Sequence, residues 1–344
     1  MNQGRYLKEF NHLKATMMLL IIMYHSIALW LPEGWFNQAP EKKSISFSIL
    51  AQWLNLIHIY VYIFISGYIY SYLRFSKRKY NTFREFVKKK ICRLIIPYIT
   101  FGTFWCIPFY ILFYQPNFEK IMKNYIFGYA PAQLWYLLML FVLFLIIYFP
   151  SKLIIKSSMI LLHFTCFTIY LSYIAVSTCL NFPFQILSAI KFIPFFIYGM
   201  NFEKYDKNFC KKKIALILLI CVNLILFIMY LVIPHSNVIY KILGKIIEYF
   251  ISITGILFMI QLNHIVKYLT IWSSKLYKKI EKNSFGLYLI HQQIIWCVIT
   301  IFNRKVCSVM LVLLNFSISF VISIIFTEIL RANRITRRFI GEAT

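Results

Sequence analysis

The chain alternates long apolar runs with short polar segments rich in Lys and Arg. Runs suited to helices fall at about 15–31, 48–73, 94–115, 132–149, 157–176, 185–200, 214–233, 246–266, 284–302 and 306–327. Each approaches the roughly 20 residues that an α-helix needs to cross about 30 Å of hydrocarbon. The second is long enough to tilt or protrude. The sixth is short, and Pro194 within it predicts a kink. The pattern predicts an all-α integral membrane protein, a bundle of about ten transmembrane helices. Residues 1–344 read as one multi-pass domain with no appended soluble domain. The first run is too long for the apolar core of a cleavable signal, and no small-residue cleavage site follows it. A retained first helix is expected.

Ten crossings put both termini on one side, and the basic residues say which. With the N-terminus and C-terminus cytoplasmic, 28 of the 37 Lys and Arg fall on the inner side. The other 9 are Lys42, Lys43, Lys120, Lys123, Lys191, Lys241, Lys245, Arg304 and Lys305. Every even-numbered helix then delivers the chain to a basic segment, as the positive-inside rule requires.

Composition agrees with this reading. The chain is 60% hydrophobic and 14% charged, against about 45–50% and about 25% in soluble domains. A net charge of +26 raises the question of nucleic acid. The basic residues lie in short clusters between apolar runs, as topology signals do, so no nucleic-acid partner is expected. The eight Cys form no C-x-x-C pair and mostly sit in apolar runs, where they serve as small core hydrophobes.

Chemistry enters with His25, inside the first apolar run. Lys14 stands eleven residues earlier, which in an α-helix is three turns plus roughly 20°. The two side chains therefore share a face, about 16 Å apart along the axis. An ionisable group at membrane depth is costly and marks function by default. A His has an unperturbed pKa near 6.5 and accepts a proton at cytoplasmic pH, so His25 is the best candidate general base. Between Arg74 and Arg93, nine of twenty residues are cationic against one Glu. Two readings stand for this segment. It is a topology anchor touching anionic lipid, or a polyphosphate cradle in which Lys90 and Arg93, three apart, face a pyrophosphate or a nucleotide 3′-phosphate.

The other His residues divide. His12 reads as solvated, His58, His163 and His264 as packing residues, and His235 as part of a short outer turn. His291 shares a helix face with Ser284 and Tyr288 and is either structural or functional. Glu248 and Glu328 lie near helix ends, where interfacial roles suffice. No metal-ligand spacing is present, and neither is a P-loop, a G-x-S-x-G or a G-x-G-x-x-G.

Several segments together resemble the bacterial membrane acyltransferase family 3, whose members O-acylate surface glycans. The family's first helix typically carries a basic residue, ten residues, then His; here these are Lys14 and His25. PheIleSerGlyTyr at 64–68 resembles its Ser-Gly segment in helix 2. LysIleCysArgLeuIleIlePro at 90–97 resembles its basic entry to helix 3. GlnLeuTrpTyrLeu at 133–137, PheIleProPhePheIleTyrGly at 192–199 and SerPheGlyLeuTyrLeuIleHis at 284–291 resemble later family segments, in order. Asn11 stands where Asp is usual, Lys14 where Arg is common and Gln133 where His is frequent. Lys keeps the charge but loses the bidentate fork.

The resemblance implies acyl transfer, acetyl above all, from cytoplasmic acyl-CoA to a hydroxyl of a surface polysaccharide or its lipid-linked precursor. The setting would be the bacterial cytoplasmic membrane. Acyl-CoA would be a substrate, with no permanently bound cofactor and no metal. Lys14, Lys90 and Arg93 would hold the CoA phosphates, and His25 would act as base or carry the acyl group. Some family members bear a fused extracellular hydrolase-like domain, which is not expected in a chain ending at Thr344. The rival reading is a glycan exporter or flippase, with His25 as a gating or proton-relay group. The sequence has no internal repeat of the transporter kind. A glycan polymerase would be expected to show a long outer loop, and none is present.

Overall fold

The structure, a computed structural model, describes residues 6–205, 213–234, 237–266 and 274–342. His235 and the basic residues Arg5, Lys207, Lys211, Lys212 and Lys267 lie outside this set. No strand occurs among the described residues. Among the described residues, nine helices are long and apolar enough to cross a membrane: α1 (Leu7–Trp30), α2 (Ile45–Ser76), α3 (Phe83–Tyr114), α5 (Met159–Cys179), α6 (Ile186–Lys204), α7 (Ile214–Val232), α8 (Val238–Val266), α9 (Lys275–Phe302) and α10 (Ser308–Ala332). The shorter apolar helix α4 (Ala132–Tyr148) is the tenth.

Contacts between helix ends place the ends of α1, α2, α3, α4, α8 and α9 on two opposite faces. At one face, the Tyr6 N–H donates to the Tyr68 hydroxyl at 3.1 Å. Asn263 donates to the Glu9 carbonyl at 3.1 Å, and Arg74 to the Tyr148 carbonyl at 2.5 Å. Both ends of the described chain lie here, since Arg93 donates to the Gly341 carbonyl at 3.4 Å. At the opposite face, Trp30 donates to the Lys42 carbonyl at 2.8 Å, Asn37 to Phe113 at 2.5 Å and Asn303 to Ala39 at 2.8 Å. The first of these is called the basic face below, because the basic segment 74–93 and the Arg residues within 331–338 lie there.

Two glycine positions set the closest packing. A Cβ on Gly67 of α2 would stand 2.1 Å from the Phe196 carbonyl oxygen, and one on Gly199 of α6 would stand 1.9 Å from that of Phe64. The two backbones touch reciprocally. Small residues permit this in membranes, where dispersion rather than hydrophobic burial holds helices together. These glycines belong to two of the segments that carried the family resemblance. α9 sits centrally, with 72% of its most apolar stretch buried, while α7 buries 11% and faces outwards.

Two helices depart from the expected continuous rods. α2 does not simply tilt or protrude; it breaks at Leu56–Ile57 into Ile45–Asn55 and His58–Ser71, followed by a π turn at Tyr72–Ser76. The Leu56 carbonyl freed by the break accepts from Ser252 of α8 at 3.0 Å, as backbone at membrane depth requires. α3 starts at Phe83, capped by Thr82 at 3.3 Å from the Glu85 N–H, so Lys90 and Arg93 lie inside the helix. It contains π turns at Ile91–Ile95 and Gly102–Cys106. Each precedes a proline, Pro97 or Pro108, whose ring and missing N–H disrupt the regular ladder. The helix widens there and continues.

Candidate functional site

α1 is an unbroken α-helix from Leu7 to Ile27, so Lys14 and His25 share its face as their spacing predicts. Lys14 opens into a cavity of about 970 Å³, mouth included, at the basic face. Lys90 and Arg93 line the same cavity from α3, and Ser284, Phe285 and Tyr288 from α9. Three cations separated by up to 79 residues in sequence are thus gathered at one opening. The cavity lining includes no carboxylate. Among the described residues, none of the three makes an ion pair.

Aromatic rings position two of the three cations. The Lys90 ammonium sits 3.5 Å from the centre of the Phe144 ring, a cation–π contact that restrains it without neutralising it. The Arg93 guanidinium lies 5.4 Å from the Phe285 ring. Gly341 packs on the Arg93 turn: its φ is +66°, and a Cβ there would meet the Arg93 carbonyl at 2.8 Å. This turn is the one that Pro97 widens. The deeper walls are tyrosine-rich. Tyr62 donates to the Lys14 carbonyl at 2.9 Å, and Ser66 to the Tyr62 carbonyl at 2.9 Å. Tyr288 donates to the carbonyl of Gln133.

Gln133, which stands where His is frequent in family 3, is buried. Its amide donates to the Leu289 carbonyl at 2.9 Å and to Gln293 Oε1 at 2.6 Å, tying α4 to α9. Here the position works as a clamp between helices.

His25 does not line the cavity. Ile21, one turn before it on α1, and Tyr288, nearly one turn before His291 on α9, form the deep end. Just beyond lie the two imidazoles, ring centres 5.0 Å apart. His291 donates from Nδ1 to the Leu287 carbonyl at 2.9 Å, because a carbonyl only accepts. Its Nε2 is therefore the bare nitrogen of the neutral ring, and it is buried without a hydrogen-bond partner. His25 Nδ1 is likewise buried and unpartnered. Unsatisfied buried polar atoms are uncommon and call for an explanation; two on facing rings suit a site of proton or acyl transfer. His58 joins the group indirectly, stacked on Tyr24 at 4.7 Å and bonded to the Leu54 carbonyl at 2.5 Å. Its packing role agrees with the sequence.

Two features were missed in the sequence. Trp35, from the segment joining α1 and α2, covers His25 at 5.2 Å between ring centres. Its only sequence signal is an aromatic pair, Trp35–Phe36, in an otherwise polar outer segment. The second is the partner of Glu248: Lys191 pairs with it at 2.6 Å inside the bundle. Glu328, by contrast, is engaged near a helix end by Asn283 at 2.7 Å and Arg331 at 3.1 Å.

The fold and this arrangement define a class: a multi-pass helical membrane protein in which a cation-rimmed cavity leads towards paired histidines. The sequence matches the acyltransferase domain of family 3 over residues 7–329, and the chain belongs to that family of acyltransferases. The match favours a transferase over a carrier. No curated protein and no solved structure matches the chain.

Proposed function

We propose that the protein transfers an acyl group, acetyl in the first instance, from cytoplasmic acyl-CoA to a hydroxyl of a surface polysaccharide or its lipid-linked precursor. The basic face is the cytoplasmic one, and the membrane is the bacterial cytoplasmic membrane. The observation that carries this reading is the cavity mouth with Lys14, Lys90 and Arg93 and no carboxylate. An uncompensated cluster of this kind suits a polyphosphate. CoA presents its phosphates at one end and its thioester at the end of a long, slender arm. With the phosphates at the mouth, the arm follows the tyrosine-lined wall beside α1. The thioester then lies near Ile21 and Tyr288, next to His25.

In the reaction, the acceptor oxygen attacks the thioester carbonyl as His25 takes the hydroxyl proton. The C–S bond breaks, and the proton passes to the departing sulfur, giving free CoA thiol and an O-ester. His291 is the neighbouring imidazole.

The donor site is tested by titrating purified protein with acetyl-CoA in a calorimeter. Lys90→Ala and Arg93→Ala should each weaken binding roughly ten- to a hundredfold, the value of a charge-assisted hydrogen bond of about 1.5–3 kcal/mol. Unchanged affinity in both variants would reduce these cations to topology signals.

A further inference from the structure

We infer that a second cavity, on the face opposite the cation mouth, binds the acyl acceptor, and that it is built for an uncharged sugar ring; this rests on the transferase reading above. The cavity has a volume of about 920 Å³, mouth included, and lies among α2, α4, α6 and α8. Tyr129, Trp135 and Tyr173 contribute aromatic surface to its walls. At its inner end Lys191 pairs with Glu248 Oε1 at 2.6 Å, and the Tyr60 hydroxyl donates to the same oxygen. The Lys191 ammonium also lies 5.6 Å from the rings of Tyr60 and Phe192.

The pair has capacity to spare. Among the described residues Glu248 Oε2 accepts no hydrogen bond, and Lys191 directs only one of its three N–H groups to an acceptor. The side chains keep 21% and 14% exposure, so a ligand in the cavity reaches them. A buried ion pair contributes little net stability. Its presence is better explained by what it holds. Adjacent sugar hydroxyls each donate and accept, which matches an ammonium beside a carboxylate. The apolar faces of the ring match the aromatic walls. The pair sums to zero charge, whereas the other cavity has three cations and no acid. The two cavities therefore select ligands of different charge: a polyanion on the basic face, a neutral molecule on the other.

Two further observations point the same way. Ile59 lines both cavities, so a single side chain stands where they approach each other. It follows His58, which stacks on Tyr24 beside His25. Backbone strain also collects here. Ala132 (φ 48°) and Gln185 (φ 58°) line this cavity, two of the five non-glycine residues with positive φ among those described. Gln185 is held in place by bonds to the Gly128 and Tyr129 carbonyls at 2.7 and 2.9 Å, which fix the rim.

The test uses the intact protein in nanodiscs. Saturation-transfer NMR measures binding of the methyl glycosides of glucose, galactose, rhamnose and N-acetylglucosamine, and of glucuronate as the anionic control. Acetyl-CoA affinity is measured on the same samples. The double variant Lys191→Met/Glu248→Leu removes the pair without leaving a lone charge, so folding is expected to survive; Trp135→Leu removes one aromatic face alone. At least one neutral glycoside should bind wild type more tightly than glucuronate does. Both variants should weaken that binding about tenfold while acetyl-CoA affinity holds. Failure of every neutral glycoside to bind, equal binding to the double variant, or a preference for glucuronate would overturn the assignment. Loss of acetyl-CoA binding in wild type would instead remove the donor reading and leave the sugar result to stand or fall separately.

Discussion

His25 and His291 face each other across α1 and α9, each with a buried ring nitrogen that no described residue satisfies. The cation-rimmed cavity, the proposed donor site, stops one helical turn short of them, at Ile21. Ile21 therefore sits where the thioester end of the donor would have to pass. Ile21→Trp should fill the deep end and abolish acetyl transfer. Affinity for adenosine 3′,5′-bisphosphate, which reaches only the mouth, should stay within about twofold, because the phosphates are remote from the obstruction. Transfer at the wild-type rate by this variant would mean that the acyl arm takes another route. The shared face of Lys14 and His25 was legible in their eleven-residue spacing, since a continuous helix converts spacing into a shared face. Trp35 was not legible in this way. It reaches His25 from a segment outside the helix, and no periodicity connects the two.

At the scale of elements, the helix crossings follow from the lengths of the apolar runs, and their ends follow from capping residues such as Ser44, Thr82 and Ser158. The break in α2 at Leu56–Ile57 had no such signal, because neither Pro nor Gly marks it. It depends on the Ser252 hydroxyl of α8 donating to the orphaned Leu56 carbonyl, which is a tertiary fact. Nor could the gathering of Lys14, Lys90 and Arg93 be read from pattern alone; it needs Pro97 to widen α3 and α9 to close the cavity. The Gly67 and Gly199 contact gives an element-level prediction. Gly67→Leu places side-chain atoms where the Phe196 carbonyl already lies. Overpacking of this kind costs about 1–3 kcal/mol or more. The variant should elute as aggregate, or melt well below wild type, by fluorescence-detected size exclusion in detergent. An unchanged melting temperature would show that α2 and α6 have room to separate.

For the whole molecule, the structure places the basic segment 74–93 and both ends of the described chain on one face, and the proposed function takes that face as cytoplasmic on the positive-inside rule. In a background with the eight Cys replaced by Ser, Glu33→Cys should react with a membrane-impermeant maleimide on intact cells, and Asn81→Cys should react only after permeabilisation. The reverse result would turn the molecule over and put the cation mouth outside. The central claim joins this orientation to chemistry: a donor held at the basic face meets His25 inside the bundle. It is tested most directly by incubating purified wild-type and His25→Gln protein with radiolabelled acetyl-CoA and membranes containing the acceptor glycan, measuring labelled glycan and released CoA together. Gln keeps a polar side chain but supplies no base near neutral pH. The account predicts a monodisperse variant with wild-type acetyl-CoA affinity and about 10²–10⁴-fold slower transfer. Near-normal transfer by His25→Gln would contradict it and move the proton-transfer role to another residue, His291 first.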